Sequence, residues 1–233
     1  MSARPILYYI TDRTAFAADE PTRRRRLLEK IAEAARAGID YIQLREKDLP
    51  IRELEKLAIE AVRTIRDPKK LATVHRPLTT APLINSRTDV AAAAGADGVH
   101  LRSNDISPED VRTIWKQCGA GATEPSPREP LIGVSCHSMS EVVRAAGEGA
   151  SFVVFGPVFE KKDVEKKDAV PTRSTGLEQL REACRARIPV LALGGVTLQN
   201  AQSCLDAGAA GIAGIRLFQE NDIAELVSRM RAH

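Results

Sequence analysis

Four copies of one short signature constrain the architecture that this chain can adopt. In each copy, a glycine at the end of a helical pattern is followed within a few residues by a short apolar run. The glycines stand 57, 54 and 59 residues apart. Because glycine adopts the left-handed conformation without a Cβ penalty, each is predicted to end a helix just before a strand. The four glycines are Gly38, Gly95, Gly149 and Gly208.

This spacing is about twice the length of one strand–helix unit, so each repeat contains a second strand and the chain contains eight. Short, almost continuously apolar runs are typical of parallel strands covered on both faces. We therefore predict an α/β fold, a single (β/α)8 TIM-barrel domain over residues 1–233. An open doubly wound sheet is the alternative, but no G-x-G-x-x-G follows the first strand. The predicted strands are Ile6–Thr11, Tyr41–Arg45, Leu83–Ser86, Gly98–Leu101, Leu131–Cys136, Phe152–Val158, Val190–Gly195 and Gly211–Ile215.

Composition narrows the class of protein further. The net charge is only +3, and the basic run at 23–26 has no interleaved aromatic residues, which favours a solvated helix face over a nucleic-acid site. No apolar run reaches the ~18 residues of a membrane span, and no signal-peptide pattern is present. The four cysteines lack C-x-x-C spacing and are expected to be free thiols. We expect a soluble, cytoplasmic protein without nucleic-acid or membrane partners; whether it forms a homo-oligomer stays open.

The second predicted strand brings two cations to the barrel mouth. The carboxyl ends of barrel strands share one cavity, and alternation places Gln43, Arg45 and Lys47 on the same side. An arginine can grip a phosphate through two N–H groups, so Arg45 and Lys47 together indicate a polyanionic ligand. The alternative is that Glu46 or Asp48 pairs with these cations at the rim.

The next two strands contribute neutral polar groups and one carboxylate. Asn85 and Ser86 end the third strand, where they can face the cavity or cap the following helix. Asp105 follows the fourth strand just beyond the rim. Because Mg2+ binds phosphates through one or two carboxylates and several waters, Asp105 is a candidate magnesium ligand. A cap or a surface turn is the alternative for Asp105.

The fifth and sixth strands contribute a candidate acid or base and a basic loop. Ser135 and His137 end the fifth strand, and an imidazole at the mouth suits general acid–base chemistry. The other histidines, His100 among them, are expected to be structural or exposed. After Gly156 on the sixth strand comes a lysine-rich loop from Lys161, either a cationic lid over an anionic ligand or a solvated segment.

Glycines at the last two strand ends predict a phosphate site. Gly194 and Gly195 close the seventh strand, and Gly214 with Arg216 closes the eighth. Paired glycines let a phosphate approach backbone amides, and TIM barrels commonly bind phosphate in these two loops. A phosphorylated small molecule is therefore the predicted ligand.

Seven short motifs at the strand ends carry a wider resemblance. They are LYYITDR at 7–13, QLREK at 43–47, LINSR at 83–87, ADGVHL at 96–101, GVSCHS at 133–138, GPVF at 156–159 and LGGV at 193–196. Each motif alone is weak evidence for a family, but seven motifs in the order found in one family are specific evidence. Together they resemble the thiamine phosphate synthase and thiazole tautomerase superfamily over nearly the whole chain.

The resemblance implies a role in thiamine biosynthesis. In the synthase branch, a pyrimidine diphosphate loses pyrophosphate, and the nitrogen of a thiazole phosphate captures the resulting carbocation. Gln43 would lie beside the pyrimidine, Gly194 and Gly195 would hold the thiazole phosphate, and Asp105 would ligate Mg2+. The residues that would hold the diphosphate, and stabilise the charge growing on this leaving group, are Arg45, Lys47, Asn85 and Ser135.

Three departures from the synthase pattern leave two other functions open. Synthases have Asn-Asp-Arg at the end of the third strand, so Ser86 replaces one of two metal carboxylates. The loop from Glu160 lacks the Thr-x-Thr-Lys pattern, and Arg216 stands where the family has a small residue. A thiazole tautomerase would need an acid or base such as His137 but no metal. The third alternative is a non-catalytic barrel that binds a phosphorylated metabolite.

Overall fold

The four signature glycines end helices or helical turns in the same way. In the computed structural model, which describes residues 4–67, 80–119, 129–160 and 174–232, their φ angles are 82°, 66°, 81° and 103° in chain order. The residue after each glycine donates its amide hydrogen to the carbonyl five positions earlier, as in Ile39 to Ala34 and Ala209 to Cys204. This is the Schellman arrangement, which satisfies the last helical carbonyls. The predicted role of these glycines is confirmed.

Eight parallel strands pair in sequence order and close into a barrel, with β8 returning to β1. The closing pair aligns Tyr8 with Ala213. The predicted TIM barrel is therefore confirmed. The strands are β1 (Ile6–Ile10), β2 (Tyr41–Leu44), β3 (Ala81–Asn85), β4 (Gly98–Leu101), β5 (Leu131–Cys136), β6 (Phe152–Phe155), β7 (Val190–Ala192) and β8 (Gly211–Gly214).

Helices follow the strands around the barrel. A 3-10 turn (Arg13–Ala15) comes after β1. The helices of the described residues are α1 (Glu20–Ala37), α2 (Ile51–Arg66), α3 (Thr88–Ala93), α4 (Pro108–Gly119), α5 (Met139–Gly147), α6 (Gly176–Ala183), α7 (Ala201–Asp206), α8 (Arg216–Gln219) and α9 (Ile223–Arg231). Among the described residues, no helix is long and apolar enough to cross a membrane.

Strands β6 and β7 end three residues earlier than their apolar runs predict. Pro157 has no N–H to give to a ladder, and Gly194 and Gly195 have φ angles of 94° and 64°, outside the β region. The residues that leave the sheet here form the mouth.

The interior of the barrel is more aromatic than a chain with 4% aromatic residues suggests. The rings of Tyr8 and Phe152 meet edge to face with centroids 5.5 Å apart, and Phe152 stacks on Tyr41 at 5.1 Å. Gly133 makes this possible, because a Cβ there would lie 2.4 Å from Cζ of Phe152 and 2.8 Å from Nδ1 of His100. A ring cluster therefore forms the floor beneath the mouth.

Candidate active site

A chain of hydrogen bonds crosses the barrel above the ring cluster. At one end, Ser135 Oγ lies 2.9 Å from His100 Nε2, and His100 Nδ1 lies 3.1 Å from the Tyr8 hydroxyl. Tyr8 donates to Gln43 Oε1 at 3.1 Å. His100, Tyr8 and Gln43 are buried. Side chains from four strands are thus tied together at the bottom of the mouth.

The chain continues from Gln43 to a carboxylate at the rim. Gln43 Nε2 donates to Asn85 Oδ1 at 2.8 Å, and Asn85 Nδ2 donates to Ser86 Oγ at 3.1 Å. Ser86 Oγ donates to Asp105 Oδ2 at 2.6 Å. Ser86 does not cap the following helix; it adopts a φ of 58°, which is uncommon for a residue other than glycine.

The Asp105 carboxylate determines the direction of every donor in this chain. Burial alone would raise the pKa of Asp105, but hydrogen bonds from Arg102 and Ser86 outweigh it and leave the pKa below its ordinary value. An ionised carboxylate only accepts, so Ser86 must donate to it, and each amide upstream is oriented in turn. Tyr8 then donates to Gln43, and His100 donates from Nδ1 to Tyr8.

Burial determines the charge of the His100 imidazole, and the direction of the hydrogen bonds determines its tautomer. Burial, and next the charge of Arg45, lower the pKa of His100 to about 3, so that His100 is neutral. With its proton on Nδ1, its Nε2 accepts the hydroxyl hydrogen of Ser135. His100 thus orients Ser135 and does not titrate near neutral pH.

A buried arginine binds the two carboxylates next to Arg45 and Lys47, the cations that follow β2. Arg13 is only 3% exposed and reaches Glu46 at 3.2 Å and Asp48 at 2.7 Å. Glu46 and Asp48, the carboxylates next to Arg45 and Lys47 in sequence, are therefore both paired with Arg13. In the described part of the chain, neither Arg45 nor Lys47 forms an ion pair.

Lys47 lies in a field of other positive charges. Its pKa is lowered by partial burial, and next by the nearby charges of Arg45 and Arg102. Like charges held close together are destabilised, and a bound polyanion relieves that repulsion. The arrangement suits a ligand with several negative charges.

The glycines after β7 combine close packing with free backbone donors. A Cβ on Gly194 would lie 2.5 Å from Cβ of Pro157, and one on Gly195 would lie 2.7 Å from Cβ of Phe159. Within the described residues, the amides of Gly194 and Gly195 donate no hydrogen bond. Packing alone accounts for glycine at both positions, and the free amides add a capacity for anions.

Other predicted site residues surround the same mouth. His137 is exposed and its Nδ1 donates to the carbonyl of Gly156. Gly214 is buried at the end of β8, and the exposed Arg216 begins α8. Lys161 lies outside the described residues.

The family model described as thiamine monophosphate synthase matches residues 7–218 of this chain. The chain belongs to that family. A putative thiamine-phosphate synthase 2 of Aquifex aeolicus is 36% identical over 93% of this chain and 98% of that protein. A thiamine-phosphate synthase of Methanoculleus marisnigri is 36% identical over 97% and 93% of the respective chains. The solved thiamine phosphate pyrophosphorylase of Pyrococcus furiosus has a TM-score of 0.71 at 28% identity, covering 98% of this chain and 95% of that one.

Family membership confirms the predicted resemblance and places the chain among transferases of thiamine biosynthesis. This family is generally Mg2+-dependent and binds small phosphorylated substrates. It therefore matters whether this chain's residues could hold a magnesium ion.

The residues at Asp105 do not fit a magnesium ion as the family site would. Oδ1 accepts from Nε of Arg102 at 3.0 Å and from its Nη2 at 2.8 Å, and Oδ2 accepts from the Arg102 amide at 2.8 Å and from Ser86 at 2.6 Å. These four bonds match the roughly four acceptor positions of a carboxylate. Ser86 adds no charge, and no group of three or more His, Cys, Asp or Glu among the described residues could hold a metal.

The sequence patterns do not mark three residues of this hydrogen-bond network. Tyr8 is predicted only as part of the first strand, His100 is expected to be structural or exposed, and Arg102 is not among the predicted site residues. Alternation along β4 offers a signal for His100, because Gly98 and His100 share one face of the strand. No comparable pattern marks Arg102, whose partner stands three residues away on a turn.

Proposed function

We propose that this chain joins 4-amino-2-methyl-5-hydroxymethylpyrimidine diphosphate to thiazole phosphate, forming thiamine phosphate and releasing pyrophosphate. The observation that carries the proposal is that Arg45 and Lys47 have no ion-pair partner among the described residues. Arg13 binds both neighbouring carboxylates, so two cations at the end of β2 are available to a diphosphate. Their arrangement supports the synthase over a function that needs only a single phosphate.

The diphosphate half of the site acts on the leaving group. The bond between the pyrimidine methylene carbon and the diphosphate oxygen breaks, and its electron pair stays on that oxygen. Arg45 and Lys47 stabilise the negative charge that grows there. We assign Asn85 and Ser135 to the diphosphate as neutral polar contacts, and both are held in place by the hydrogen-bond chain.

The pyrimidine is assigned to the floor of the mouth. Gln43 is buried, and its amide is held between Tyr8 and Asn85. An amide fixed on two sides cannot rotate freely, so it presents one orientation to a ring. We assign Gln43 to the orientation of the pyrimidine.

The thiazole phosphate is assigned to the opposite side of the mouth. The amides of Gly194 and Gly195, which donate no hydrogen bond within the described residues, provide donors, and Arg216 near Gly214 in sequence provides a charge. The nitrogen lone pair of the thiazole forms the new C–N bond, which leaves a thiazolium in the product. His137, held by the carbonyl of Gly156, and Lys161 remain candidate contacts at the rim.

The test is product formation by the purified protein. The pyrimidine diphosphate and the thiazole phosphate are incubated with the protein, with and without Mg2+, and thiamine phosphate and pyrophosphate are measured by chromatography. Arg45→Ala should lower kcat/KM by ten- to a hundredfold, since a charged hydrogen bond to the leaving group is lost. Arg25→Ala is the matched control, because Arg25 is exposed and pairs with Glu29 on α1.

Absence of product from the unmodified protein would overturn the proposal. If only a thiazole carboxylate phosphate were isomerised, and His137→Ala abolished that reaction, the chain would be a thiazole tautomerase. Binding of both substrates without turnover would identify a non-catalytic binding barrel.

A further inference from the structure

The cation that Asp105 holds in this chain is an arginine. Arg102 contacts both carboxylate oxygens through three N–H groups. The remaining acceptor position receives the hydroxyl of Ser86. A metal ion could bind Asp105 only by displacing one of these donors.

The arginine and the serine fit each other. Ser86 Oγ lies only 2.6 Å from Asp105 Oδ2, so a carboxylate at position 86 would lie directly against the carboxylate of Asp105. Two carboxylates at such a short distance repel each other unless a cation lies between them. With Ser86 neutral, a single positive charge is enough for Asp105. Arg102 supplies that charge, and its side chain is still 57% exposed.

Arg102 also belongs to the group of cations at this rim. The end of β3 lies between those of β2 and β4, and the hydrogen-bond chain already described runs across all three strand ends to Asp105. At these ends, the charges of Arg45 and Arg102 both act on Lys47. Arg45 and Lys47 have no carboxylate partner in the described part of the chain. Three positive side chains from the β2 and β4 ends therefore border one region, with Asp105 offsetting only one of them.

We propose that the Arg102 guanidinium, anchored by Asp105, takes the place of a divalent cation and binds the departing diphosphate together with Arg45 and Lys47. The inference rests on the proposed function, because the ligand is the leaving group of that reaction. A guanidinium can donate to Asp105 with one edge and to a phosphate with its remaining N–H groups.

The step balances without a metal. The methylene C–O bond breaks, its electron pair remains on the diphosphate, and the thiazole nitrogen supplies the pair for the new C–N bond. The pyrophosphate gains one negative charge, which lies among three cationic side chains. No oxidant, reductant or further reactant is needed.

Binding of pyrophosphate in the presence of EDTA tests the proposal independently of turnover. We expect calorimetry to detect binding to the unmodified protein without any divalent cation. Arg102→Ala should weaken this binding ten- to a hundredfold, because a charged hydrogen-bond donor is lost. Arg181→Ala, which removes an exposed arginine paired with Glu178 on α6, should not change it.

Manganese provides a direct readout of metal binding. Electron paramagnetic resonance should show no Mn2+ bound at Asp105 in the unmodified protein with pyrophosphate. The double variant Ser86→Asp with Arg102→Gly should bind Mn2+, because it opens the carboxylate and adds a second one. Circular dichroism of both variants verifies that they are folded.

The outcomes separate the two proposals. Pyrophosphate binding in EDTA that is lost in Arg102→Ala supports this inference, even if no thiamine phosphate forms and the proposed function fails. Thiamine phosphate formation that stops in EDTA and returns with Mg2+ overturns the inference and leaves the proposed function standing. Pyrophosphate binding that is absent in EDTA, or unchanged in Arg102→Ala, also overturns it.

Discussion

Nε2 of His100 lies 2.9 Å from Oγ of Ser135, and it accepts rather than donates the hydrogen between them. The direction follows from Asp105, five side chains away along the hydrogen-bond chain. A charge at the rim thus sets the proton position on a buried ring through neutral side chains. The serine at the mouth is oriented by a residue that does not itself face the ligand.

The protonation state of His100 can be measured directly. We expect 15N spectra of histidine-labelled protein to show His100 as the neutral Nδ1–H form at pH 6 to 8. Replacing the carboxylate by Asp105→Ala removes the acceptor that orients the chain, and the His100 signals should shift. An Nε2–H form in the unmodified protein would contradict the assigned direction.

The same histidine contributes to the pH dependence of stability. Its pKa is about 3 in the folded protein against about 6.5 when unfolded. Between these values the unfolded state binds the extra proton, so the contribution is complete above about pH 6.5 and is lost as pH falls. Urea unfolding of His100→Gln should show a slope of stability against pH that is smaller by up to about 1.4 kcal/mol per pH unit. Equal slopes in the two proteins would show that His100 is protonated when folded.

Close packing of Gly133 against the Phe152 ring can be tested by substitution. Gly133→Ala should lower the free energy of unfolding by about 1–3 kcal/mol, because its Cβ would overlap the Phe152 ring. The matched control is Gly147→Ala at the end of α5, where no atom lies within 4 Å of the added Cβ. The control should be neutral or stabilising by up to about 1 kcal/mol. Similar losses in both variants would argue against a specific clash with the ring.

The buried Arg13 links stability to ligand binding. Arg13→Met leaves Glu46 uncompensated in the interior and should cost about 3–5 kcal/mol in chemical denaturation. It also frees Asp48 to pair with Arg45 or Lys47, so pyrophosphate binding should weaken. Arg13→Met with Glu46→Gln should recover stability, since the buried charge is then gone. If the double variant is no more stable than the single one, an uncompensated charge is not the cause.

Local chemistry in the sequence predicts most of the fold. Glycine takes a positive φ without strain, so the four signature glycines, of which Gly38 is the first, end their helices for a reason that is local to the sequence. The strand ends that were predicted too long, at Val158 and Gly195, lie where a proline and two glycines meet across neighbouring strands. Their early ends depend on contacts between segments far apart in sequence.

The features of the site also fall into those that the local sequence determines and those that depend on contacts between distant segments. The sequence alone determined the barrel, the family and the set of polar residues at the strand ends, because spacing and side-chain type are local properties. The tertiary structure alone decided which charges are paired: Arg13, and not Arg45 or Lys47, binds the two carboxylates that follow β2. It likewise placed Arg102 on Asp105 and His100 behind Ser135, because electrostatic and hydrogen-bond partners depend on distances that only the closed barrel establishes.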